Sequence, residues 1–166
     1  MSIFRPHQIL QDFMDFDYLK YKNDGYNTIF IDIDNTLALP DVELKASEKA
    51  SKFINNLKGH GFTVYILSNN TKERVEPYAK SIKCDYYYFA LKPLPFSYLK
   101  LIKKYKLDKS KIICMGDQLL TDCLGANLLG LCSIYVKQLV EKDIIKTKLN
   151  RFIERKIFKY ILHEKV

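Results

Sequence analysis

Short apolar runs alternate along this chain with stretches of helical period. Five runs, at 28–33, 62–67, 86–90, 111–115 and 131–136, have strand length and are rich in β-branched or aromatic residues. Each is almost continuously apolar, the pattern of parallel strands covered on both faces. Between them, Ala46, Ala50, Phe53, Ile54 and Leu57 recur with a helical period, and Gly59 supplies a stop. Helical patterns follow at 71–81, weakened by Pro77, at 96–105 and at 119–129. A basic amphipathic helix is expected at about 143–162, and a short helix between 17 and 25. The rest of the first 25 residues carries little readable pattern.

This alternation predicts an α/β fold: a three-layer α/β/α, Rossmann-like sandwich with a mainly parallel five-stranded sheet, as one domain over 1–166. In open sheets of this kind ligands bind beyond the carboxyl ends of the strands. Chemistry is therefore expected in the residues that follow each apolar run.

Apolar residues make up 48% of the chain and charged residues 28%, which excludes a disordered polyelectrolyte. No apolar run reaches the roughly 18 residues that a membrane span needs. The first twenty residues have early acids and no apolar core, unlike a signal peptide. Four cysteines, Cys84, Cys114, Cys123 and Cys132, form no CxxC pair, so zinc is not expected and reduced thiols fit a cytoplasmic setting. The net charge of +8 is uneven: residues 137–166 hold nine Lys or Arg against four Asp or Glu. That excess favours an anionic partner, whether a phosphorylated substrate, an anionic membrane surface or nucleic acid. Nucleic acid is disfavoured, because no known binding motif is present and Tyr86, Tyr87 and Tyr88 lie in a strand with core-like neighbours.

Four consecutive strands end in polar groups of distinct kinds. The first ends in Asp32-Ile33-Asp34, followed by Asn35-Thr36. Residues two apart on an extended chain project to the same side, roughly 6–7 Å apart. Such a pair suits a divalent cation, or one nucleophile beside one proton donor. Thr36 can fix the turn of this loop and is a candidate for the phosphate-binding set. The second strand ends in Ser68-Asn69, where a hydroxyl and the next backbone N–H can hold phosphoryl oxygens. The third is followed by Lys92, a point charge suited to phosphate. The fourth is followed by Gly116-Asp117 and then Asp122, acids that would complete a cation site. Taken singly, each has an ordinary explanation as turn composition, a surface lysine or acids at a helix start. Asp15 and Asp17 repeat the two-residue spacing, but no apolar strand precedes them, and they read as a solvated helix start.

In this order the motifs DIDNT, LSNN, ALKP and GDQLLTD resemble those of the haloacid dehalogenase superfamily of phosphotransferases. Within it the chain is similar to the capless IIIA phosphatases of the YqeG type, and to mitochondrial phosphatidylglycerophosphate phosphatases. The resemblance implies that Asp32 attacks phosphorus, that Asp34 serves as acid and then base, and that Ser68, Asn69, Thr36 and Lys92 hold the phosphoryl group. It implies Mg2+ bound by Asp32, the Asp34 carbonyl, Asp117 and Asp122, the last directly or through water. Only eleven residues separate Asp34 from Ala46, and a helix and a strand consume those between Ser68 and Lys92, so no cap domain fits. An open site suits a large or surface-presented substrate. The expected substrate is phosphatidylglycerophosphate, giving phosphatidylglycerol, on a protein at most peripheral to the inner face of the membrane. A soluble nucleotide or sugar phosphate is the alternative. A protein that binds RNA, ribosomes or another partner through the basic tail is the alternative of another class. In the 143–162 helix, Ile145, Leu149, Phe152, Ile153, Ile157, Tyr160 and Ile161 form one stripe, which could face either the sheet or a bilayer.

Overall fold

A computed structural model describes residues 2–40, 43–140 and 152–159. Among the described residues six strands form one fully parallel sheet: β1 Gln8–Leu10, β2 Thr28–Ile31, β3 Thr63–Leu67, β4 Asp85–Tyr87, β5 Ile112–Gly116 and β6 Cys132–Val136. Their spatial order is β1-β6-β5-β2-β3-β4. The sheet thus has one strand more than the five expected. The addition, β1, is a three-residue edge strand in register with Ile134–Val136. Its neighbour His7 presents Nδ1 to the backbone N–H of Ser133 at 3.0 Å.

Period-two alternation in the central strands separates the two faces. Ile29, Ile31 and Ile113 point into one core with α2 (Glu48–Gly59) and α3 (Lys72–Ser81), where Phe53, Ile54, Leu57, Val75 and Tyr78 meet them. Phe30, Tyr65, Leu67 and Cys114 point into the other, against Tyr98 and Leu101 of α4 (Phe96–Tyr105) and Ala126 of α5 (Leu124–Leu128). This is the expected three-layer sandwich. The short helix α1 (Tyr18–Asn23) is capped by Asp17, whose side chain accepts from the Lys20 N–H at 3.0 Å. Asp15 accepts from the Asp12 N–H, so the Asp15/Asp17 pair serves local capping.

Three boundaries differ from the sequence pattern. β4 stops at Tyr87 rather than at Ala90, because Phe89 (φ 45°) and Leu91 (φ 55°) adopt left-handed conformations that no strand continues through. The helix expected over 119–129 opens with a wide π-type turn at Leu119–Cys123. Of the 143–162 helix only 152–159 falls within the described residues, and it is helical. There Ile157 and Phe158 are buried with Leu119, Cys123 and Tyr135, while Phe152 and Ile153 are exposed. The described part of the stripe therefore divides: Ile157 packs inward, joined by Phe158 from outside the expected set. All four cysteines are buried and free. No described helix is long and apolar enough to cross a membrane.

Leu57, fully buried between α2 and the sheet, provides a check on this packing. Leu57→Ala should lower unfolding free energy by about 2–5 kcal/mol, read from denaturant midpoints at unchanged slope.

Candidate active site

The carboxyl edge of the sheet gathers polar groups from four strands. The Asp32 N–H donates to the Met115 carbonyl (3.0 Å), extending the β2–β5 pairing one residue past β2. The chain then closes tightly. The Ile33 carbonyl accepts from the amides of Thr36, Leu37 and Ala38 at 3.2, 2.8 and 3.0 Å, and Asn35 takes a left-handed φ of 62°. Asp32 and Asp34 both line a cavity of about 450 Å3, together with Asn35, Ser68, Asn69, Lys92 and Asp122 among others.

Lys92 lies at the centre of the cluster. Beyond β4 the Phe89 and Ala90 amides donate to the Asn70 and Ser68 carbonyls, which ties this loop to the end of β3. The Asn69 side chain then grips the Lys92 backbone at both ends, accepting from its N–H at 2.7 Å and donating to its carbonyl at 3.1 Å. The buried ammonium donates to Asp32 Oδ1 (2.8 Å), Asp122 Oδ1 (2.6 Å) and the Leu67 carbonyl (2.8 Å). Burial works to lower the Lys92 pKa, but the Asp122 and Asp32 carboxylates outweigh it and hold the lysine charged. Burial pushes the Asp32 carboxyl up to about 7; Lys92 opposes the rise, and Asp122 and Asp34 add to it.

Asp122 is aimed by its own turn, where its second oxygen accepts from the Gln118 N–H at 3.1 Å. Gly116 makes room for it: a Cβ there would lie 2.2 Å from the Asp122 carboxyl carbon. Glu154, from the 152–159 segment, braces this turn by accepting from the Leu120 N–H at 2.9 Å.

Asp34 is held separately. Arg74 of α3 reaches it with Nη2 at 2.7 Å and Nε at 3.0 Å, and Asn70 Nδ2 donates to its other oxygen at 3.0 Å. The guanidinium is buried, stands over the Tyr78 ring and also donates to the Glu43 carbonyl. Sequence reasoning passed over both Arg74 and Asn70. In a chain with 27 basic residues nothing marked Arg74, apart from its place one turn into the helix that follows Ser68.

Not every candidate faces the cavity. Thr36, expected among the phosphate ligands, is fully buried, and its hydroxyl reaches Asp117 at 3.5 Å. Asp117 is itself fully buried. Ser68 lines the cavity, and its hydroxyl accepts from the Asn70 N–H at 3.2 Å.

The donor set suits a hard divalent cation, because every candidate ligand is an oxygen. Asn35 Oδ1, buried at the same site without a hydrogen-bond partner among the described residues, adds a further oxygen. Among the described residues no three acidic, histidine or cysteine side chains are drawn together as a ready-made metal cluster; the ammonium of Lys92 holds the carboxylates instead.

Carboxylates, a lysine and a serine thus meet at the carboxyl edge of a parallel sheet, and comparison with known proteins gives the class of the chain. A family model described as haloacid dehalogenase-like hydrolase matches residues 40–130, and the chain belongs to that family. The matched stretch takes in Ser68, Lys92, Asp117 and Asp122, with Asp32 and Asp34 just before it. The chain is 31% identical over 156 residues to the "probable phosphatase YqeG" of Bacillus subtilis, covering 94% of this chain and 90% of that one. Two solved structures share the fold at lower identity. D,D-heptose 1,7-bisphosphate phosphatase from B. bronchiseptica, complexed with magnesium and phosphate, is 17% identical with a TM-score of 0.52, covering 66% of this chain and 79% of that one. The cobalt-bound deoxy-D-mannose-octulosonate 8-phosphate phosphatase of Haemophilus influenzae is 13% identical with a TM-score of 0.53, covering 83% and 90%.

Lys92→Met should expose the electrostatic design of the cluster. Two buried carboxylates would face each other without their cation, at a cost of about 3–5 kcal/mol in unfolding measured at neutral pH with chelator present. An acid whose folded pKa is raised gains folded-state protons as pH falls. Losing Lys92 removes the charge that opposes that rise, so the deficit should be largest at alkaline pH and shrink as pH falls toward 7, the value to which burial already lifts Asp32 in the wild type.

Proposed function

We propose that this hydrolase is a magnesium-dependent phosphomonoesterase that works through an aspartyl-phosphate on Asp32. The observation that carries the reading is the placement of two acids with different partners on one cavity, Asp32 against Lys92 and Asp34 against Arg74. An Asp32 oxygen attacks phosphorus as the bond to the leaving oxygen breaks, and Asp34 gives that oxygen its proton. Asp34 then takes a proton from water, whose oxygen attacks phosphorus. The bond to Asp32 breaks with its electron pair returning to the carboxylate, so the products are an alcohol and inorganic phosphate.

Lys92 neutralises the nucleophile, which a dianionic phosphate would otherwise repel. Ser68, with the backbone N–H of Asn69, is suited to orient phosphoryl oxygens. The Asn69 side chain acts one step back, by fixing Lys92. Asp32, the Asp34 carbonyl, Asp117 and Asp122 would hold the magnesium, which supplies charge neutralisation for the transferred phosphoryl group. Thr36 would then act on Asp117 and the loop, not on phosphate.

For the substrate we favour phosphatidylglycerophosphate, at the cytoplasmic face of a membrane. An uncapped cavity supports a phosphate presented by a large or membrane-held molecule. The excess of basic residues supports an anionic surface.

Asp32→Asn should abolish turnover, and Asp34→Asn should cost about 10²–10⁴-fold in kcat. Removing divalent metal with EDTA should stop the reaction, and added Mg2+ should restore it. These are read by phosphate release from an aryl phosphate and from phosphatidylglycerophosphate in vesicles. Wild-type rates in both mutants would remove the mechanism. Fast release from soluble esters with none from the lipid would remove only the substrate.

A further inference from the structure

An exposed apolar stretch includes Phe89, which lines the active-site cavity, and extends beyond it in residues that catalysis does not use. Tyr88, Phe89, Leu91, Leu94, Phe96 and Leu99 are all exposed, within twelve residues of chain. Leu91 and Phe96 retain 61% and 68% of their accessible surface. Scattered single apolar residues are ordinary on a surface; a run this dense marks a contact site.

The display is fixed. The Phe89 and Ala90 amides bind the loop after β3, Asn69 clamps Lys92, and the Leu94 N–H donates to the Leu91 carbonyl at 2.9 Å, closing a turn between the two leucines. Behind it, Gly125 lets the Pro93 backbone approach so closely that a Cβ would lie 3.2 Å from it. On α4, Phe96, Leu99, Lys100 and Lys103 follow the i, i+3, i+4, i+7 spacing of one helix face and are all exposed. Tyr98 and Leu101 occupy the buried side.

Charge selects the partner. From Tyr88 to Lys106 the sequence holds five lysines and no acid. Lys92 is buried in the site, and Lys100, Lys103, Lys104 and Lys106 are exposed. A second copy of this +8 chain would bring like charge to the patch, as would residues 137–166 with nine basic side chains against four acidic. Exposed aromatic and aliphatic side chains set among lysines match the boundary of an anionic bilayer, apolar below and negatively charged at the head groups.

We propose that the surface formed by Leu91, Leu94, Phe96 and Leu99, with the exposed Lys100, Lys103 and Lys104 that follow on α4, docks the protein on an anionic membrane. Phe89 both belongs to this exposed run and lines the catalytic cavity, so docking sets the mouth of the site at the head-group layer. The inference rests on the lipid-phosphate reading above for its purpose, but its test does not require turnover.

The chain contains no tryptophan, so Phe96→Trp gives a single fluorescent probe. Its emission should shift to the blue with vesicles of phosphatidylglycerol and phosphatidylcholine, and stay unmoved with phosphatidylcholine alone. In flotation assays the triple variant Leu91→Ser, Leu94→Ser, Phe96→Ser should bind the anionic vesicles at least about tenfold more weakly than wild type. Its turnover of a soluble aryl phosphate should be unchanged, which also shows that it folds. Equal flotation of variant and wild type, or an emission blind to anionic vesicles, overturns the proposal. So does self-association of the wild type that the triple variant loses while its flotation persists, since the face would then join proteins. Wild type that floats through this face yet fails to hydrolyse phosphatidylglycerophosphate removes the substrate and supports the docking surface.

Discussion

One buried ammonium ion joins the ends of four strands. Lys92 follows β4, yet its three protons go to Asp32 after β2, to the Leu67 carbonyl of β3 and to Asp122 after β5. Burying charge is costly, and a pair of this kind repays it only when every proton and lone pair is matched. Here the matching is close to complete on the lysine side. Because the partners lie on separate strands, the interaction also fixes their relative register. A shift of any one strand end would leave a carboxylate or the ammonium unmatched in a dry place.

A second polar unit stands beside the first and is built differently. Asp34 is tied to a helix, through Arg74 and Asn70, rather than to a strand end. It keeps 20% of its side-chain surface accessible, against 9% for Asp32. Two neighbouring acids are thus separated in environment by their partners. Under the mechanism proposed above, that separation would let two chemically identical groups on one loop take different roles.

Much of this was legible in the sequence, for physical reasons that also explain the gaps. The central strands are buried on both faces, so their apolar runs stood out, and the residues after them landed on one edge because parallel strands all end there. β1 escaped because an edge strand of three residues, only half covered, has no periodicity to read. β4 was drawn too long because Tyr88 to Ala90 keep a strand-like composition while the backbone turns left-handed. Thr36 was placed near phosphate by its position in the loop, but that loop curls back on the Ile33 carbonyl and carries the hydroxyl toward Asp117. Arg74 lacked any local mark, since its meaning depends on a contact 40 residues away.

The brace between Glu154 and the Leu120 amide has a bearing on biosynthesis. The turn that carries Asp122 is translated well before the residue that caps it. A nascent chain could lay down β2 to β6 and bury most of its core while this turn still lacked its carboxylate. Completion of this edge of the sheet would then wait for the late residues to leave the ribosome. A chain interrupted before position 154 would lack both that acceptor and the Ile157 and Phe158 side chains that pack on Leu119, Cys123 and Tyr135, at the turn that gives Lys92 its second carboxylate.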